Sequence, residues 1–212
     1  MEVYNLKGFM GQILEINLTN SEIKKTPLNE DLAMRFLGGA GYACATLLPL
    51  ISKDTNPLGP ENKLFFMTGA LTGTMATSTG RMVVCAKSPL TGIWGECNSG
   101  SDVCVQIKKA GYDGILIHGA ASTPKYLEIA DDHVELKDAD HLWGKGIYET
   151  TEILKSDSRF AKGRVITIGP AGENLVRFSN IGSEERAFGR TGMGAVMGSK
   201  KLKAIEIGRA HV

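Results

Sequence analysis

The residues best suited to chemistry form one run, Arg186-Ala187-Phe188-Gly189-Arg190-Thr191-Gly192-Met193-Gly194-Ala195-Val196-Met197-Gly198-Ser199-Lys200. Glycines leave backbone amides uncovered so that several can converge on an anion, and a helix starting near Gly194 would add its positive end. Arg186 and Arg190 supply planar, paired donors of the kind that grip phosphate. The spacing matches neither common nucleotide loop. Ser199-Lys200 follows Gly198 in the wrong order for a Walker loop, and Gly198 comes one residue too late after Gly192-x-Gly194 for a dinucleotide fingerprint. A second Gly-Arg pair, Gly80-Arg81, opens a strand. Asn98-Ser99-Gly100, ahead of a helix capped by Ser101-Asp102, offers a third contact for an anion or sugar.

Other chemistry finds little support. Cys44, Cys85, Cys97 and Cys104 contain no C-x-x-C pair and read as small buried hydrophobes. His118, His133, His141 and His211 lack metal-ligand spacing, and no G-x-S-x-G nucleophile turn is present. Glu184-Glu185 reads as a solvated turn, and Lys200, Lys201 and Lys203 as solvated charges near a helix end.

A chain of 212 residues can bury a core without staples, as one large domain or two small ones. With 24 Lys plus Arg against 23 Asp plus Glu, no global field favours nucleic acid, so any anion site must be local. The apolar runs at 64–67 and 114–117 fall far short of the roughly 20 residues that span a bilayer. The opening residues lack a charged segment followed by an apolar one, so the expectation is a cytoplasmic protein without a membrane partner. Glycine, at 26 residues, exceeds the usual ~7% and suggests tight turns or backbone close to a ligand.

The elements that must position these residues follow from periodicity. Alternation over 10–18 predicts a strand, with 21–26 as its hairpin partner. Asn29 before Glu30-Asp31 predicts a capped helix that ends at Gly38-Gly39. Residues 64–67 predict a buried strand, 68–80 a loop, and 81–86 and 93–97 two further strands. A helix from Ser101-Asp102 stops at Gly111. Strands are expected at 114–118, 125–130 and 133–137, the last two joined by an Asp131-Asp132 turn. A helix at 147–155, a strand at 164–168 and a turn at 169–172 complete the pattern. Val165-Ile166-Thr167-Ile168 resembles Leu64-Phe65-Phe66-Met67 in kind. Each leads through a loop to a Gly-Arg pair, which suggests an internal duplication.

Taken in order, Leu71-Thr72-Gly73-Thr74, Gly80-Arg81, Lys87-Ser88-Pro89-Leu90-Thr91-Gly92, Asn98-Ser99-Gly100, Ala110-Gly111-Tyr112-Asp113, Leu142-Trp143-Gly144-Lys145, Ile168-Gly169-Pro170-Ala171-Gly172-Glu173-Asn174 and the 186–200 run resemble the N-terminal domain of the aldehyde:ferredoxin oxidoreductase family. The resemblance covers Leu6 to Ile205. It implies an α+β fold of two mixed β-sheet halves with flanking helices, forming a base for a tungstopterin, a bis-pterin cofactor carrying tungsten or molybdenum. Dithiolene sulfurs of the pterins hold that metal, so no His/Cys ligand cluster is needed here. The implied reaction oxidises an aldehyde to a carboxylate, with electrons passing through a 4Fe-4S cluster to ferredoxin.

By position, the resemblance makes Arg81 the link between one pterin and the cluster. Asn98 and Gly100 would contact a pterin, and Arg186, Ala187, Gly189 and Arg190 a pterin and its phosphate. A magnesium ion bridging the pterin phosphates would rest on backbone oxygens of Asn98 and Ala187. The family's C-x-x-C-x-x-x-C cluster ligands are absent from these residues, so C-terminal domains of the same chain are expected as partners, with a homo-oligomer open to the full-length enzyme. Ser101-Asp102 departs from the Gly and bulky residue frequent in the family. Residues 1–205 are expected to be the cofactor-binding domain. Residues 206–212 can be back-translated into a common sequencing adapter and are read as a non-native tail. Two other readings stay open at this level: a non-enzymatic pterin carrier or assembly module, and a nucleotide-binding domain using Gly192-x-Gly194.

Overall fold

The computed structural model describes residues 7–130, 133–156 and 162–208. The Asp131-Asp132 turn and the last four residues of the expected tail lie outside them.

Strand β1 (Gln12–Asn17) alternates buried and half-buried side chains and turns back into β2 (Glu22–Pro27). Helix α1 (Glu30–Phe36) starts where expected: the Asn29 side chain accepts from the Leu32 N–H at 3.1 Å. Its end at Leu37 leads at once into α2 (Gly39–Leu47), which the sequence did not reveal, because Gly39 and Gly41 are poor helix formers. Packing overrides that propensity. Tyr42, Ala43 and Leu47 bury against β3 (Leu64–Thr68) and β4 (Arg81–Lys87). Strand β5 (Trp94–Gly100) runs into α3 (Asp102–Lys109), and β6 (Gly114–His118) returns to pair in parallel with β1.

The second half contains β7 (Lys125–Ala130), β8 (His133–Asp138), α4 (Ile147–Lys155) and β9 (Arg164–Thr167). The expected turn after β9 is instead a short helix, α5 (Pro170–Glu173), for which Pro170 presets the first φ. Then come β10 (Ile181–Ser183), β11 (Arg186–Phe188), α6 (Met193–Ser199) and β12 (Leu202–Ile207). β12 runs past the boundary expected at 205, with Glu206 and Ile207 both paired and buried.

The duplication is carried by topology. The first sheet runs β2-β1-β6-β3-β4-β5, and the second, read from its other edge, β8-β7-β12-β9-β10-β11. Six added to each strand number of the first gives the second. Residue register repeats as well. One row across the first sheet is Thr26, Ile13, Gly114, Met67, Val83 and Asn98. Its counterpart is Lys137, Tyr126, Ala204, Thr167, Gly182 and Ala187.

The inner faces of both sheets share one core, with Phe66 and Phe188 edge to face at 6.4 Å. α3 follows the first sheet but packs on β9 and β12, and α6 follows the second but packs on β3, β4 and β5. The halves are therefore interlocked. Outside, α1 and α2 cover the first sheet, and α4 covers Val165 and Ala204 of the second. Lys200 and Lys203, expected to be solvated, are fully buried. The Lys200 ammonium donates to the carbonyls of Pro60, Asn62 and Gly119, tying the second half to the first. Burial, reinforced by Lys63 and opposed by Glu61, pushes this amine down to about 7.

Candidate functional site

At the start of β4, the Thr72 hydroxyl donates to the Arg81 carbonyl at 2.9 Å, and the Arg81 N–H donates to Thr79 O. These bonds fix the exit of the 69–80 loop. The Arg81 guanidinium crosses to β5 and donates from Nη2 to Asn98 Oδ1 at 2.6 Å. Asn98-Ser99-Gly100 is therefore the last part of β5, rather than a loop closing it. Pleating turns Asn98 outward while Cys97 and Ser99 are buried, and Gly100 lies opposite Arg81.

On the other half, Arg186 and Ala187 are exposed, and Phe188 anchors β11 in the core. Gly189 and Arg190 are exposed beyond it. Among the described residues, the guanidiniums of Arg186 and Arg190 make no hydrogen bond or ion pair. The next turn is stapled to the first half, where Ser88 Oγ donates to Thr191 O at 2.8 Å and Thr191 Oγ1 to Glu96 O at 3.3 Å. β5 and β11 consequently lie side by side. Beside the end of β5 opens a cleft of about 880 Å³ walled by Gly80, Gly100, Ser101 and Asp102, by the 183–186 turn and by the side of α4 that carries Tyr148 and Lys155. Of the residues expected to contact the cofactor it takes in Gly100 and Arg186, while Arg81, Asn98, Ala187, Gly189 and Arg190 are not part of its wall.

The cleft also brings in charges that sequence spacing could not find. Arg164 reaches Asp102 at 2.9 Å and Glu184 at 3.5 Å, and Lys155 reaches Glu184 at 3.0 Å. Glu184 is thus an ion-pair partner, not part of a solvated turn. Ser101 and Ser183 hydroxyls meet at 3.0 Å across the halves.

Two expectations about the glycine-rich run are corrected. A Cβ on Gly192, Gly194 or Gly198 would stand 1.9, 2.3 and 2.0 Å from the carbonyl oxygens of Arg177, Asn180 and Gly172. These three glycines permit close backbone packing rather than an anion nest. α6 begins at Met193, its residues 193–198 are buried, and the Gly194 N–H donates to Ser179 O. A nucleotide site built on Gly192-x-Gly194 loses its donors in this way. The two Gly-Arg pairs are not counterparts either. Two residues along from the matched row, Arg81 corresponds to Asn180, and Gly189 corresponds to Gly100. The residues that do correspond are Asn98 and Ala187.

Cys85, Cys97 and Cys104 are buried as expected, whereas Cys44 is only half-buried. Burial raises the thiol of Cys85 far above its usual range, that of Cys97 to about 12 and that of Cys104 to about 11. Ligand atoms of Glu128, His133 and Glu135 come within 4.8 Å of one another, but the Lys137 ammonium already sits on Glu128.

A bulky polyanionic cofactor needs room, cationic donors and uncovered backbone, and the residues present fit it. The cleft gives room beside Gly100 and Arg186, and the exposed Arg186 and Arg190, the latter outside the cleft wall, give donors. Gly80 and Gly189 have no neighbour within 4 Å of an added Cβ, so backbone is open to a ligand at both. No helix among the described residues is long and apolar enough to cross a membrane.

Residues 13–209 match the family model described as aldehyde ferredoxin oxidoreductase, N-terminal domain. The tungsten-containing aldehyde ferredoxin oxidoreductase of Thermococcus kodakarensis is 47% identical over 201 residues, covering 94% of this chain and 33% of that protein. The aliphatic sulfonate oxidoreductase, WOR-like subunit, of Pyrococcus furiosus is 39% identical over 220 residues, covering 93% and 34%. A chain of the active site complex BamBC of benzoyl coenzyme A reductase, solved with 1,5 dienoyl-CoA, superposes with a TM-score of 0.93 at 37% identity, over 95% of this chain and 31% of that one. This chain spans about a third of the length of the curated relatives it matches. With the family model matched along nearly all of its length and the fold shared, the chain belongs to the aldehyde ferredoxin oxidoreductase family, as its N-terminal domain.

Proposed function

We propose that this domain is the base on which a tungstopterin sits in an enzyme that oxidises aldehydes to carboxylates and delivers electrons to ferredoxin. The observation that carries the reading is the matched register of Asn98 and Ala187, one from each half, flanked by exposed arginines. A cofactor built of two pterins suits a base built of two repeats. Arg186 and Arg190 donate to pterin phosphate, while Gly100 and Gly189 keep the surface flat enough for a ring system to approach. Backbone oxygens of Asn98 and Ala187 would hold a magnesium ion that neutralises the pterin phosphates. Arg81, steadied by Asn98, would link a pterin to a 4Fe-4S cluster. When bound, the tungsten supplies the two-electron redox chemistry; this domain binds and orients the cofactor.

Arg190→Ala tests the reading. Losing a charge-assisted hydrogen bond costs ~1.5 to 3 kcal/mol, enough to lower cofactor retention roughly tenfold or more. Tungsten and pterin are assayed in protein purified from a host that makes the cofactor. Unchanged metal content would sink the role given to Arg190.

A further inference from the structure

A second cavity, of about 270 Å³, lies on the outer side of the first sheet, at the Trp94 end of β5, four residues along the strand from Asn98 and on the same face. Its wall is mostly apolar, made by Leu47, Leu48, Ile51, Ile93 and Trp94, and is completed by Gly92, Ser52, Lys53 and Lys87. Lys87 is only 7% exposed. Its backbone N–H donates to Asn62 Oδ1 at 3.1 Å, and Asn62 Nδ2 donates to its carbonyl at 3.0 Å, so the residue is clamped from both sides. The side chain is fixed as well, because Nζ donates to the carbonyls of Ser52 and Lys53.

An ammonium carries three donors, and these carbonyls take two. A buried charge is costly unless paired, yet the residues lining this cavity include a second cation, Lys53, and no acid. Glu96, the nearest carboxylate along β5, is engaged with the Trp94 indole N–H at 3.2 Å. A fixed cation in the wall of a mostly apolar pocket, met by two carbonyls and by no acid among the lining residues, suits a single negative charge on an apolar body. At the ~30 Å³ that a water molecule takes up, the volume suits a ligand of about nine non-hydrogen atoms.

We infer that this cavity is a binding site for a small monocarboxylate with an aryl or short alkyl body, its carboxylate on the third Lys87 donor and its apolar part between Ile93 and Trp94. The site needs no pterin, so it stands apart from the reading of the cleft. Oxidation of an aldehyde yields this class of molecule, and a sensor of accumulated product is the use it would then serve.

Trp94 is its own reporter. Fluorescence of the Trp143→Phe protein is titrated with phenylacetate, with hexanoate and with neutral phenylacetamide. Saturable change with the acids, at least tenfold weaker with the amide, is expected. Lys87→Met should reduce the acids to the affinity of the amide. No saturable response to either acid overturns the site, and so does equal affinity for acid and amide. That comparison needs only the intact lysine, so it decides the question even where Lys87→Met fails to fold. Ile93→Asp, at a rim residue 69% exposed, should abolish acid binding by repulsion; unaltered binding would also reject the site.

Discussion

The two halves of the domain share strand order and register, yet they meet the same structural demands with opposite chemistry. Asp113, immediately before β6, corresponds to Lys203, the second residue of β12. Their carbonyls do the same work, accepting from the N–H groups of Thr68 and Ile168 at 2.9 and 3.1 Å. Their side chains are charge-reversed and buried: Asp113 pairs with Lys108, and Lys203 pairs with Glu173. Backbone geometry is what the duplication preserved. Side chains diverged wherever each half meets a different neighbour, and the unmatched arginines, Arg81 in one half and Arg186 and Arg190 in the other, belong to that divergence.

The largest effects should come from these buried pairs. Asp113→Asn or Glu173→Gln leaves an ammonium stranded in the interior, which costs about 3–5 kcal/mol by denaturant titration. Asp113 should be the more costly, since it also accepts the N–H groups of Met10 and Gly11, whereas Glu173 accepts only that of Gly144. Equal losses would remove the distinction between the halves. Next, Gly198→Ala should cost about 1–3 kcal/mol through overpacking, because its Cβ would meet Gly172 O at 2.0 Å. At ~2–4 °C per kcal/mol in a chain of this size, a melting curve resolves it.

Smaller differences lie at the ends of the central helices. Gly111 has φ +89°, and its counterpart two residues before Lys203 is Lys201 at φ +54°. Gly111→Ala should therefore destabilise, and Lys201→Gly should relieve strain, each by about 1 kcal/mol. A stabilising Gly111→Ala would break the correspondence. Smallest of all, α1 is capped by the Asn29 side chain while α4 begins at Gly146 with no side-chain cap. Gly146→Asn should gain a few tenths of a kcal/mol, and thermal melts of Asn29→Ala should show the reverse at about 1 kcal/mol.

What the sequence disclosed was local. The β1–β2 hairpin, the Asn29 and Ser101 caps and the helix stop at Gly111 are each decided within a few residues, and all stand where periodicity put them. α2 was hidden because its two glycines argue against a helix until a sheet is there to pack on. Lys200 and Lys203 looked solvated because their partners lie as far off in sequence as Asn62 and Glu173. The Gly-Arg pairs looked equivalent because spacing along the chain does not report pairing across a sheet. Only register shows that Asn98 answers Ala187.

The strand order also sets a schedule for synthesis. β6 sits inside its sheet, so the first half can be complete once residue 118 has emerged, but β12 fills the interior of the second sheet and arrives only with residue 207. At roughly 5–20 residues per second, those 89 residues (207 − 118) take about 4 to 18 s. Throughout that interval the apolar inner face of the first sheet waits on the ribosome without its partner. Slowing translation between the two strands should therefore raise aggregation of the nascent chain, a liability that belongs to the order of assembly and leaves no mark on the finished fold.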